Sequence, residues 1–66
     1  MRVKIAIEEY EVTAATRIME RLGVDEFAPV PGDNGKFVLT VYAADWPDLR
    51  DALEENNIAC EVLPNP

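Results

Sequence analysis

What most constrains this chain is a change of hydrophobic period that occurs twice along its length. Residues 2–10, RVKIAIEEY, alternate: Val3, Ile5 and Ile7 fall on one side, Arg2, Lys4, Ala6 and Glu8 on the other. A period of two marks a half-buried strand. The following EVTAATRIMERLG sets Val12, Ala15, Ile18 or Met19, and Leu22 at helical spacing. Thr13 suits an N-cap, because its hydroxyl accepts from a free backbone N–H. Gly23 stands where a left-handed stop is wanted, and Val24 supplies the apolar contact after it. The first helix is therefore expected over residues 13–22.

The second cycle is preceded by VDEFAPV at 24–30. Phe27 and Val30 suggest a strand there, and Pro29, lacking an N–H, confines it to a sheet edge or a bulge. PGDNG at 31–35 predicts a reversal, since Asn34 and Gly35 tolerate positive φ. KFVLTVY then alternates Phe37, Leu39 and Val41 with Val38, Thr40 and Tyr42. Apolar groups on both faces imply a central strand. DWPDLRDALEENN, residues 45–57, reads as the second helix, with Asp45 as N-cap, Pro47 in the first turn and Asp48 at the positive end of the dipole. Trp46, Leu49 and Leu53 form its core stripe, with Ala52 at the edge, and Asn56 and Asn57 close it. IACEVL gives a last strand with Ile58, Cys60 and Val62 on one face. The order is βαββαβ. Each helix has one apolar stripe, so both cover one sheet face. Right-handed crossovers make the expected fold α+β, a ferredoxin-like sandwich on a four-stranded antiparallel sheet, in a single domain over residues 1–66.

A chain of 66 residues has room for one domain and buries only ~60% of its unfolded surface. One cysteine and no histidine rule out an intrachain disulfide and disfavour zinc. Cys60 alternates with inward residues and has no partner base, so it is expected to be a structural thiol in a reducing compartment. No signal peptide or run of roughly 20 apolar residues is present. The expectation is a soluble, cytoplasmic protein. Thirteen acids against six bases give a net charge of −7, which repels nucleic acid and anionic membranes and favours basic surfaces.

No constellation points to catalysis. General acid–base work at neutral pH usually uses histidine, or a carboxylate or lysine shifted by burial, and the acids here fall at positions expected to be exposed. A non-enzyme is expected. Glu8, Glu9 and Glu11 can gather around calcium or magnesium, but no loop has the spacing of a calcium site. PGDNG lacks the following helix and glycine spacing of a phosphate loop. No metal or cofactor is expected.

The acid itself is unevenly placed. On the second helix Asp48, Asp51 and Glu55 fall within about 60° of one another, flanked by Glu54 and opposite Trp46, Leu49 and Leu53. Arg50 is the one base among five acids from Asp45 to Glu55. A face built only for solubility mixes signs and gains i,i+4 pairs; the first helix does mix signs, with Arg17 and Arg21 beside Glu20. A second acidic group, Glu8, Glu9 and Glu11 around Tyr10, ends the first strand, and Asp25 and Glu26 begin the next. The carboxylates from Asp48 to Glu55 span ~10 Å of helix, comparable with a few successive phosphates at ~3.4 Å each. Trp46, Tyr10 and Tyr42 can add aromatic anchors.

Two family resemblances bear on these residues. The ferredoxin-like plan resembles the amino-acid-sensing ACT domains, which implies a dimeric small-ligand regulatory module. Those domains often carry an acidic–proline–glycine turn after the first strand, where this chain reads EEYEVTAA; Asp45, Trp46, Pro47 and Asp48 lie at the second junction instead. RNA-recognition domains share the plan too, but Phe37 and Tyr42 are not arranged as their stacking aromatics. In size, acidity and lack of a catalytic motif the whole chain resembles the small phage anti-CRISPR proteins, several of which mimic DNA. That resemblance implies an inhibitor in the bacterial host cytoplasm, bound to a CRISPR effector complex or another basic nucleic-acid-binding protein. It carries over no residue. The candidate contacts, Asp48, Asp51, Glu54 and Glu55, then Glu8, Glu9 and Glu11, come from the charge pattern alone. A homodimer is a further expectation, tied to the ACT-like alternative.

Overall fold

Alternation in the first strand is resolved by pairing on both of its sides. In the computed structural model, which describes residues 1–25 and 28–64, β1 (Arg2–Glu8) lies between β3 (Lys36–Tyr42) and β4 (Cys60–Val62). A two-residue β2 (Val30–Pro31) closes the other edge, giving the order β2-β3-β1-β4 with every neighbouring pair antiparallel. Helices α1 (Val12–Leu22) and α2 (Trp46–Glu55) complete a βαββαβ chain. This is the expected ferredoxin-like α+β fold, in which β1–α1–β2 and β3–α2–β4 each straddle a strand of the other. β3 is central, as its two apolar faces required.

Register fixes the two faces. Val3, Ile5 and Ile7 stand opposite Val41, Leu39 and Phe37, while Cys60 and Val62 stand opposite Ile7 and Ile5. This face meets the helices: Ile5, Ile7, Leu39 and Val41 form one buried cluster with Ala15, Ile18 and Met19 of α1 and Leu49 and Leu53 of α2. No polar side chain is buried among the described residues. Arg2, Lys4, Ala6 and Glu8, with their partners Tyr42, Thr40, Val38 and Lys36, occupy the open face. Burying an Ile or Leu side chain is worth about 1.5–3 kcal/mol, so this single layer supplies most of what holds the chain.

Both helices stop by one device. After α1, Gly23 takes φ 72°; its N–H donates to the Glu20 carbonyl and that of Val24 to the Met19 carbonyl. After α2, Asn57 takes φ 57°, donating to the Glu54 carbonyl, while Ile58 donates to the Leu53 carbonyl. Each is a Schellman motif, whose accompanying apolar residue, Val24 or Ile58, is buried. Asn57 thus does for α2 what Gly23 does for α1. The Asn34–Gly35 reversal also forms as expected, with φ of 58° and 72° and the Lys36 N–H on the Asp33 carbonyl at 3.1 Å. Positive φ at both central residues is the type I′ hairpin geometry.

The helix starts differ from expectation. A 3-10 turn, Glu9–Glu11, runs directly into α1, so the residue at the cap position is Glu11 and Thr13 lies inside the first turn. Chain already coiled on entry leaves Thr13 no extended backbone from which to cap. Asp45 occupies the expected cap position of α2, but its backbone is helical (φ −89°, ψ −16°) and its side chain makes no cap bond; a side-chain cap needs an extended residue. Leu22, placed on the core stripe by spacing, is exposed, because the chain turns away at Gly23 and buries Val24 instead. The expected strand over 24–30 contracts to Val30–Pro31. Prolines at 29 and 31 remove two of three successive donors, and Asp25 is an exposed residue outside any strand. Glu26 and Phe27 lie outside the described residues.

Candidate functional site

α2 presents its acids by elimination. Leu49 and Leu53 take the core, Trp46 and Ala52 are half-buried at the margins, and Asp48, Asp51, Glu54 and Glu55 are left exposed. Arg50 does not neutralise the row. Its Nη2 reaches only the Oδ1 of adjacent Asp51, at 3.5 Å with both side chains largely exposed, and such a pair contributes little. Asp48, Asp51 and Glu55 keep the common outward direction that helical spacing gives them. Glu54 flanks this row, and its charge also acts on Cys60. Burial pushes the Cys60 thiol above its ordinary value, and the Glu54 charge raises it further. A thiol held protonated is a weak nucleophile, which matches the reading of Cys60 as structural.

The second acidic group is dispersed. Glu8 is on the open face of the sheet, opposite Lys36. Glu9 is exposed in the 3-10 turn, its N–H tied to the Gly35 carbonyl at 3.3 Å. Glu11 is half-buried and lines a cleft with Asn56, the residue after α2. The last turn of α2 and Glu11 therefore share one end of the molecule, with Glu8 on the far side of the sheet. Tyr10, between Glu9 and Glu11, is 79% exposed.

The open face has a different sign. Arg2, Lys4 and Lys36, half of the six bases, share it with Glu8 and Glu61. Lys36 Nζ approaches Glu61 Oε2 at 3.8 Å, which carries the pair from β3 to β4 across β1. The residue beneath that span is Ala6, 7% exposed despite its position on this face. A small side chain there leaves room for the crossing. Sequence alternation shows which residues share this face, but strand order is needed to bring the bases of β1 and β3 side by side. Among the described residues no three His, Cys, Asp or Glu side chains assemble a metal site, and no helix is long and apolar enough to cross a membrane. Comparison with protein-family models, curated proteins and solved structures finds no match to this chain.

Proposed function

We propose that this protein acts by binding, using the outer face of α2 to compete with nucleic acid for the basic groove of a nucleic-acid-binding protein, a bacterial CRISPR effector complex being the first target to test. The observation that carries this reading is the exposed row Asp48, Asp51 and Glu55, extended by Glu54, whose one base is spent on a neighbour. A Lys- or Arg-lined groove accepts such carboxylates in place of phosphates and releases its counterions, which makes the interaction salt-dependent. Like charges crowded on one helix cost stability that a small domain has little of, and a partner of opposite sign offsets that cost. Glu11 and exposed Tyr10 stand at the end of the molecule where α2 finishes, and they extend the contact as rim and anchor.

The test is competition. Purified CRISPR effector complexes are incubated with labelled target DNA and increasing amounts of the protein, at low and moderate salt. Displacement of DNA that weakens with salt and disappears in the D48K/D51K/E55K variant supports the reading. Undiminished DNA binding at low salt, or displacement that the triple reversal leaves intact, sinks it.

A further inference from the structure

We infer that Asn34 is a site of self-modification: the backbone nitrogen of Gly35 closes on its side-chain amide and leaves aspartate or isoaspartate in the β2–β3 hairpin, while Asn56 and Asn57 stay intact. The Gly35 nitrogen, once hydroxide has taken its proton, forms a bond to Asn34 Cγ. The Cγ–Nδ2 bond breaks, and ammonia leaves behind a five-membered succinimide ring. One water then opens the ring. Attack at Cγ gives aspartate, and attack at the Asn34 main-chain carbonyl gives isoaspartate, whose chain runs on through the side-chain carbon. Water is the only co-reactant consumed, and nothing is oxidised or reduced.

The asparagines separate by what the nitrogen after each of them is doing. Ring closure needs an amide free to turn, a following N–H without an acceptor, and a following residue that does not crowd the ring. Asn34 and Gly35 are both exposed. Among the described residues the Asn34 amide makes no hydrogen bond and the Gly35 N–H donates to nothing. Beyond its chain neighbours, no heavy atom lies within 4 Å of where a Cβ on Gly35 would stand, and glycine lets the joining peptide rotate at the least steric cost. Residues 31–35 are all exposed, so the turn can open without disturbing the core. Asn57 has nearly the same backbone, with φ 57° against 58°. Its follower, however, is buried Ile58, whose N–H is held by the Leu53 carbonyl at 2.9 Å. The Asn56 amide is spent on the Ala52 carbonyl at 2.8 Å, and the next N–H is held by the Glu54 carbonyl at 3.1 Å. Asn65 precedes Pro66, which has no N–H to lose. Positive φ therefore does not select Asn34; the free nitrogen after it does. The change also reaches beyond the turn. The Gly35 carbonyl accepts the Glu9 N–H at 3.3 Å, which ties the hairpin to the turn carrying Tyr10. Isoaspartate adds one carbon to the main chain just before Gly35 and displaces that carbonyl.

The experiment is incubation of the folded full chain at neutral and mildly alkaline pH, followed by tryptic digestion and mass spectrometry. Trypsin separates residues 22–36, which hold Asn34 alone, from residues 51–66, which hold the other asparagines. The expected result is the mass gain of amide-to-acid conversion in 22–36, resolved by chromatography into two isomers. Its rate should rise about tenfold per pH unit, as the deprotonated fraction of a weak acid does well below its pKa. Residues 51–66 should convert at least roughly tenfold more slowly, because Asn57 must first break the Ile58 hydrogen bond and uncover that side chain. The Glu9 amide should exchange with deuterium faster in the isolated isoaspartyl form. It should keep its protection in equally aged Asn34→Gly, a variant that takes the positive φ without strain. No mass gain in residues 22–36 of the folded chain overturns the proposal. Equal conversion of the two peptides overturns it as well, by removing the selectivity, and an unchanged Glu9 amide in the isoaspartyl form overturns the effect on the neighbouring turn.

Discussion

The two strand–helix halves of this molecule satisfy the same packing problem with different surfaces. α1 and α2 each bury a stripe on one sheet face and end in a Schellman motif, at Gly23 and Asn57. Their outer faces diverge. α1 mixes Arg17 and Arg21 with Glu20, whereas α2 carries Asp48, Asp51, Glu54 and Glu55 against Arg50 alone. Because the stripe and the stop are common to both, packing cannot be what demands the acid. The fold tolerates a mixed helix in one half and an acidic one in the other, and the proposed binding role rests on that difference.

That comparison can be broken in several ways, the most severe first. Leu53→Ala should cost about 2–5 kcal/mol, most of the stability of a domain this small, and urea unfolding measures it. A loss well under 1 kcal/mol would show that α2 is not held by its stripe as α1 is. Reversing Asp48, Asp51 and Glu55 to lysine should weaken competition with DNA at least tenfold, which is about 1.4 kcal/mol, while each surface change leaves stability within about 0.5 kcal/mol. Unfolding of that variant would mean that packing does constrain the outer face.

The stops give a finer contrast. Gly23→Ala forces a Cβ into the left-handed region and should cost about 1 kcal/mol or more. Asn57→Gly removes a smaller strain and should gain on the order of 0.5 kcal/mol; matching thermal melts of the two variants check both signs. The smallest effect belongs to Cys60. Its folded value lies above the ordinary thiol range, through burial first and Glu54 second, so the folded chain keeps this proton to higher pH than the unfolded one. The linked stability is complete below the unfolded value and is lost as pH rises through the folded value. Wild type should therefore lose slightly more stability than Cys60→Ala between neutral and alkaline pH, and equal slopes in urea titrations would remove the effect.

Local signals were legible wherever one residue type suits one backbone state. Gly23 announced its stop, Asn34–Gly35 its hairpin, and the doubly apolar β3 its central place. Asn57 occupied a named closing pair, yet its equivalence to Gly23 needed the φ angle, because asparagine serves in many turns. The start of α1 was misread because Thr13 has a capping side chain, while the chain is already coiled from Glu9. β2 was overlong because its pairing is decided by β3 across the sheet, which meets only Val30 and Pro31. The acidic row on α2 was visible as a spacing, whereas the action of the Glu54 charge on Cys60 was not. Nor was the cleft: Arg17 and Arg21 meet Asn56 and Ile58 only after α1 and α2 pack side by side.

The shortness of β2 has a consequence for how copies of this sheet can grow. Between Pro29 and Pro31, Val30 owns the only backbone N–H in three residues, so that margin has almost nothing with which to accept another strand. β4, at the opposite margin, holds Cys60–Val62 with Val62 half exposed and no proline within its length. The two outer strands therefore differ in what their backbones can donate: β4 keeps an N–H at each of its three residues, whereas Pro31 leaves β2 with one.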